Sequence, residues 1–320
     1  ATLANILAII CSFIVCTDRD RARQLFLVVA WSGAVYAAYG IVMYFFDPTH
    51  LLWREKIAYT DVLTSTFVNR NTAAAYFGSC AVLWMLLLSQ QIRRRFALSH
   101  IYWRSLARQL LTEMPRQIAL SFAMLLLCLV ATLMTNSRAG IVLSLVALVI
   151  TFATYFHREL PRRGGLVATL AIGALIALLL LQVLGGNVIG RFDLQGLSDE
   201  GRLETYRSTL RMIANSPWLG SGLGTFAWGF PAYRSPNISM WGIWDRAHST
   251  PLELAADLGL PMAALVIVVW LIILAVLIRG VRTRHRDLVL PLGALTVAVL
   301  GLAHSSIDFS LQIPGYSIIV

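Results

Sequence analysis

The chain has 320 residues, of which 58% are apolar and only 13% charged, with a formal net charge of +10. That degree of apolarity lies well outside the range of soluble globular domains. Uncharged runs of about 20 residues recur, each long enough to cross a bilayer as a helix, so the composition excludes a soluble enzyme and defines an all-α, polytopic membrane protein.

Apolar spans are predicted near 1–16, 24–46, 72–90, 118–134, 140–156, 166–184, 251–278 and 288–304. The connections between them alternate in charge. The segments 17–23, 91–117, 157–165 and 279–287 carry 16 Arg in 52 residues, including Arg93-Arg94-Arg95. The segments 47–71, 135–139 and 185–250 carry 10 Lys and Arg in 96 residues. The positive-inside rule makes the first set cytoplasmic and the second outward-facing. The positive balance is therefore topology and attraction to anionic lipid, not nucleic-acid binding.

The four cysteines (Cys11, Cys16, Cys80, Cys128) all fall inside apolar spans without metal-ligand spacing and read as small buried thiols. The six histidines are scattered and no His-Glu-x-x-His occurs, so no metal site or cofactor is expected. Mg²⁺ held by one or two carboxylates stays open. A single membrane domain over 1–320, a fragment of a longer chain, is the expected organisation.

Two outward segments carry the polar residues. The loop 47–71 ends in Asn69-Arg70-Asn71 at the start of a helix. The loop 185–250 is about 66 residues long, a size that usually signals function. Within it Leu203, Tyr206, Leu210 and Ile213 recur at helical spacing and predict an amphipathic helix, with Arg207 and Arg211 on a neighbouring face. The Trp-, Phe- and Tyr-rich stretch after it suits an interfacial belt or stacking on sugar rings. Gly220, Gly222 and Gly224 read as tight turning, since no strand precedes them and no helix is expected close behind.

Five of the spans (24–46, 72–90, 118–134, 140–156, 166–184) contain no Asp, Glu, Lys, Arg or His. That argues against a proton-coupled transporter, whose path needs such groups. The ionisable residues gather at outward helix ends instead. Arg138 sits in a tight turn, either snorkelling to the interface or gripping a diphosphate through bidentate hydrogen bonds. His248 precedes Pro251 at a helix start, either as a cap or as a base for a hydroxyl. Glu253 and Asp257 follow and could orient that histidine or pair with an arginine for structure alone. His304 and Asp308, four apart, are predicted on one helix face as a buried pair or a site.

In order along the chain, FVNRN (67–71), TNSRAG (135–140), GRLETYRSTLRMIANSPWLGSGLGTF (201–226), HSTPLELAADLGLP (248–261) and HSSIDFSLQIP (304–314) resemble the O-antigen ligases and the related membrane polysaccharide polymerases. His248, Ser249 and Gly259 meet the ligase pattern of His, Asn or Ser, nine residues, Gly. Asp257 stands where the family usually has Glu, and Arg138 to Val142 only approximates its Arg-x-x-x-Leu.

The resemblance implies a glycosyltransferase C-like helical bundle of about a dozen helices, with one large periplasmic loop over 185–250. It implies a multi-pass protein of the bacterial inner membrane whose active site faces the periplasm. The donor would be an undecaprenyl diphosphate-linked glycan and the acceptor a lipid A core sugar, or another carrier-linked glycan in a polymerase, without metal or nucleotide sugar. Membrane lipids are the remaining partners. A developing diphosphate charge is best met by fixed cations. On that basis His248, Arg138 and Arg202 are the expected catalytic residues, with Arg207, Arg211, Asn71, Arg246 and Asp257 contacting substrate. A lipid-linked sugar transporter is the rival class, but the internal repeats it should show are not found.

Overall fold

The structure is a computed structural model that describes residues 2–96, 114–157, 200–238, 244–284 and 287–320, together with Gly173. The predicted span 166–184, the first part of the 185–250 loop and the arginines at 104, 108, 158, 162, 163 and 286 lie outside the described residues.

Helices α1 (Thr2–Val15) and α2 (Arg19–Phe46) are followed by a two-stranded hairpin, β1 (His50–Leu51) and β2 (Arg54–Glu55). Next come α3 (Arg70–Phe96), α4 (Arg116–Met134), α5 (Arg138–Tyr155), α6 (Glu200–Asn215) and the single turn α7 (Phe226–Gly229). The chain ends with α8 (Thr250–Thr283), α9 (Val289–Ser305) and the short α10 (Pro314–Ser317). Five of these, α2 to α5 and α8, are long and apolar enough to cross a membrane. The predicted spans therefore reappear as helices wherever they are described.

Helix α3 is the hub, packed against α2, α4, α5 and α9. Its apolar window is 94% buried, against 6% for that of α8. Lipid tails are as apolar as a leucine side chain, so helices in a bilayer associate by close packing and polar contacts rather than by hydrophobic exclusion. Small residues provide the closeness here. A Cβ at Gly33 of α2 would collide with Cys80 of α3, and one at Gly78 of α3 would collide with Ser144 of α5. Hydrogen bonds then tie the helices across these contacts. Trp84 Nε1 donates to the Ala30 carbonyl at 2.8 Å, and the hydroxyls of Ser32 and Tyr76 meet at 2.8 Å. Cys80 and Cys128 are buried as expected, whereas Cys11, in α1, and Cys16, just after it, are exposed.

The alternation of helix direction sorts charge to the two ends of the bundle. One end holds Arg93 to Arg95, Arg116 and the Arg19–Asp287 ion pair at 2.6 Å. The opposite end gathers the start of α3, the turn between α4 and α5, helix α6, the entry to α8 and the segment after α9. There the Leu63 amide donates to the Met134 carbonyl at 3.1 Å, joining the 47–69 loop to the end of α4.

Helix α6 forms where the amphipathic pattern predicts it, but its buried face is different. Thr205, Ser208, Thr209, Met212 and Ile213 are buried, while Leu203 and Leu210 are exposed. In a membrane protein the exposed side is not necessarily wet, so an apolar stripe does not by itself mark the face that meets protein.

Candidate active site

The break between the large loop and α8 sets the local geometry. Pro251 lies in the first turn of α8, where its missing N–H costs nothing, and Ser249 is the N-cap residue. His248, just before the cap, has φ of +52°, in the left-handed region that His visits more readily than most residues. Several bonds hold that conformation. The Tyr206 hydroxyl donates to the His248 carbonyl at 2.9 Å, and the Ala247 amide donates to Glu253 Oε2 at 2.8 Å. Arg246 Nη1 donates to Glu253 Oε1 at 3.1 Å and to Gln312 Oε1 at 2.7 Å. Glu253 and Arg246 are thereby spent on shaping the turn that presents the histidine.

The carboxylate beside His248 belongs to Asp308, not to Glu253 or Asp257. His248 Nδ1 lies 3.4 Å from Asp308 Oδ1, the long end of hydrogen-bonding distance. Nδ1 is buried while the side chain keeps 26% exposure, so the accessible edge of the ring is the one away from Asp308. The ring itself sits between Trp244 and Phe309, with centroids 5.9 and 5.3 Å away.

Asp308 is almost fully buried, and neighbours from three parts of the chain fix it. Its Oδ1 accepts the Phe309 amide at 2.8 Å, and its Oδ2 accepts the Asn71 side-chain amide. Asn71 Oδ1 in turn accepts the Ser137 hydroxyl at 2.8 Å. Ser137 is the N-cap of α5, so Arg138 follows directly as the first residue of that helix. Arg202, from α6, donates from Nη1 to the Ile307 carbonyl at 3.2 Å and adds its positive charge beside Asp308. Burial opposes ionisation of Asp308, yet His248, Arg202 and His304 together hold its carboxyl below the usual range.

His304 and Asp308, read as a buried pair or a site, do not share the predicted helix face. Helix α9 ends at Ser305, and the turn that follows swings Asp308 toward His248. His304 Nδ1 shares a hydrogen bond of 2.9 Å with the Ser310 hydroxyl instead.

The remaining predicted residues are placed differently. Asp257 Oδ2 accepts the Gly224 amide at 2.7 Å, and the Asp257 carbonyl accepts the Gly222 amide at 2.8 Å. The loop 217–224 docks here into a break in α8. Gly259 has φ of +79°, and a Cβ on it would collide with the Trp218 carbonyl. The freed Leu260 amide donates to the Pro217 carbonyl at 2.8 Å. Gly220, Gly222 and Gly224 all have positive φ, as tight turning requires, although the short α7 does follow them. Arg207 is largely exposed and pairs with Glu204 one turn back, and Arg211 donates to the Ser208 hydroxyl at 3.1 Å.

The structure thus brings His248, Arg202 and Asn71 together through Asp308, with Arg138 one residue from the same network. Ser137, Tyr206 and Gln312 were not legible as site residues, since each acts through backbone or side-chain contacts made only in three dimensions. A histidine whose buried nitrogen faces a carboxylate is poised to keep its proton there and offer a lone pair at the accessible nitrogen. Among the described residues no group of three or more His, Cys, Asp or Glu side chains is arranged to hold a metal ion.

These features define a polytopic helical membrane protein with a histidine, a carboxylate and a guanidinium clustered at one end of its bundle. The family model described as Wzy_C, O-antigen ligase, matches residues 123–267. The match spans 145 of the 320 residues and bears out the resemblance to the O-antigen ligase family, which points to an enzyme of the glycosyl-transferring ligase or polymerase type. The matched segment contains Arg138, Arg202 and His248, while Asn71 and Asp308 lie outside it and join the cluster only through the fold. No curated protein matches the chain.

Proposed function

We propose that the chain transfers a glycan from an undecaprenyl diphosphate carrier to a sugar of the lipid A core, at the periplasmic face of the bacterial inner membrane. The observation that carries this reading is the His248–Asp308 contact, with Arg202 beside it at the end of the bundle poorer in positive charge. Asp308 holds the imidazole so that its accessible nitrogen removes the proton of the acceptor hydroxyl. The acceptor oxygen then bonds to the anomeric carbon as the bond from that carbon to the diphosphate oxygen breaks. The electron pair leaves with the diphosphate, inverting the anomeric centre.

Charge builds on the diphosphate as it departs, and cations already in place stabilise it without reorganisation. Arg202 and Arg138 take that role, at a level where a lipid-anchored diphosphate meets a water-soluble sugar. The loop around α6 and α7 covers the site, and its exposed Trp218 and Trp228 offer faces on which sugar rings stack. Arg207 and Arg211 guide the anionic donor inward.

The test uses the chain in lipid with an undecaprenyl diphosphate-linked glycan and lipid A core, each alone and both together. New glycosylated lipid A only when both are present supports the ligase reading. Longer carrier-linked chains without lipid A replace it with the polymerase reading on the same scaffold. No new glycosidic bond in either arm, with intact substrates and folded protein, rejects both.

A further inference from the structure

We propose that the basic end of the bundle carries a binding site for an anionic phospholipid with a hydroxylated headgroup, separate from the cluster around His248. A cavity of about 480 Å³ opens there between α2, α3 and α4. Its rim is cationic, with Arg23 from the first turns of α2 and Arg94 and Arg95 from the last turn of α3. Its wall includes Leu27, Trp31 and Ile118.

The cavity is built rather than incidental. Trp31 meets Trp84 edge-on at 5.1 Å, and Trp84 is pinned by its hydrogen bond to the Ala30 carbonyl. The wall is therefore held open by a fixed aromatic pair. Neighbouring arginines are engaged elsewhere: Arg19 pairs with Asp287, and Arg93 stacks over Tyr155 at 5.5 Å. Arg23, Arg94 and Arg95 have no carboxylate against them among the described residues, so their charge is available to a ligand. Gln91 lines the same cavity, and its Oε1 is buried without a hydrogen-bond partner among the described residues.

A phosphodiester satisfies the three guanidinium groups, a headgroup hydroxyl satisfies Gln91 Oε1, and an acyl chain covers the apolar wall. A soluble phosphate would leave that wall uncovered. Basic pockets between helices near a membrane surface are suited to such lipids.

The experiment is native mass spectrometry of the full chain in detergent, with phosphatidylglycerol and phosphatidylcholine of identical acyl chains as probes. Wild type is expected to retain one phosphatidylglycerol in preference to phosphatidylcholine. Each of Arg23→Gln, Arg94→Gln and Arg95→Gln should weaken retention about fivefold, and the triple variant about a hundredfold. The triple variant Arg279→Gln, Arg282→Gln, Arg284→Gln removes the same charge from the same end outside the cavity and should retain the lipid. Helical content and size-exclusion profile confirm folding, and the single variants carry the test if the triple does not fold. Equal binding of the two lipids, equal loss in both triple variants, or displacement by inorganic phosphate would overturn the proposal. Glycan transfer is not the readout, so the result is independent of the function proposed above.

Discussion

Asn71 donates its side-chain amide to Asp308, 237 positions further along the chain, and Asp308 faces His248 at 3.4 Å. The first turn of α3, the most buried of the described membrane-length helices, therefore fixes the carboxylate that faces the candidate base. Ser137 extends the same network to the start of α5, beside Arg138. Residues from four distant segments depend on one another through this chain of contacts.

Asp308→Asn keeps the size of the side chain but removes the charge that faces His248. It also puts an amide group where the carboxylate accepts from both Asn71 and the Phe309 backbone. Turnover should fall by about a hundredfold or more with the protein still inserted and folded. Activity within a few-fold of wild type, measured in the two-substrate assay, would remove Asp308 from the site.

The folded state holds the Asp308 carboxyl below the ordinary range, whereas an unfolded aspartate titrates near about 3.9. A lowered folded-state value gives stability that is fully present above the unfolded value. It is lost as pH falls through the folded-state value. Thermal unfolding in detergent should show a loss of stability below about pH 4 that is smaller in Asp308→Asn. Identical acid profiles for the two proteins would contradict the ionised, partnered carboxylate.

His248→Asn tests the base without disturbing the backbone, because Asn also tolerates the positive φ at this position. Transfer should fall about a hundredfold to ten-thousandfold while donor binding, followed by retention of the carrier-linked glycan, changes little. A loss of binding with unchanged turnover at saturation would instead make His248 a substrate contact.

Arg202→Ala and Arg207→Ala should separate cleanly although both lie on α6. Arg202 reaches into the Asp308 network, so its loss should reduce turnover about a hundredfold through weaker stabilisation of the leaving diphosphate. Arg207 is 70% exposed and pairs with Glu204 at the surface, where solvent screens the pair and leaves it little influence. Its substitution should alter mainly the apparent affinity for donor. Comparable losses of turnover in the two variants would refute this division of roles.

Gly259→Ala forces a side chain onto a position with φ of +79° against the Trp218 carbonyl. It should cost more than about 1 kcal/mol and release the 217–224 loop from the break in α8. Limited proteolysis should then cut within that loop faster than in wild type. Unchanged cleavage would show that the loop is held by other contacts.

The sequence by itself determined the membrane class, the helical spans and the segregation of charge, because length and apolarity decide what can cross a bilayer. It also singled out His248, Arg138 and Arg202 as candidates, and the fold gathers all three at one end of the bundle. Tertiary structure alone decided which carboxylate serves the histidine. Glu253 and Asp257 are nearer in sequence, but Glu253 is consumed by Arg246 and the Ala247 amide, and Asp257 by the glycine loop. Asp308 was read with His304 on one helix face, as a buried pair or a site, and the end of α9 at Ser305 turns it toward His248 instead. The buried side of α6 was likewise settled only by its neighbours, since lipid and protein reward an apolar stripe alike. Periodicity can place a helix, but the partner of a buried charge depends on which distant segments the packing brings within reach.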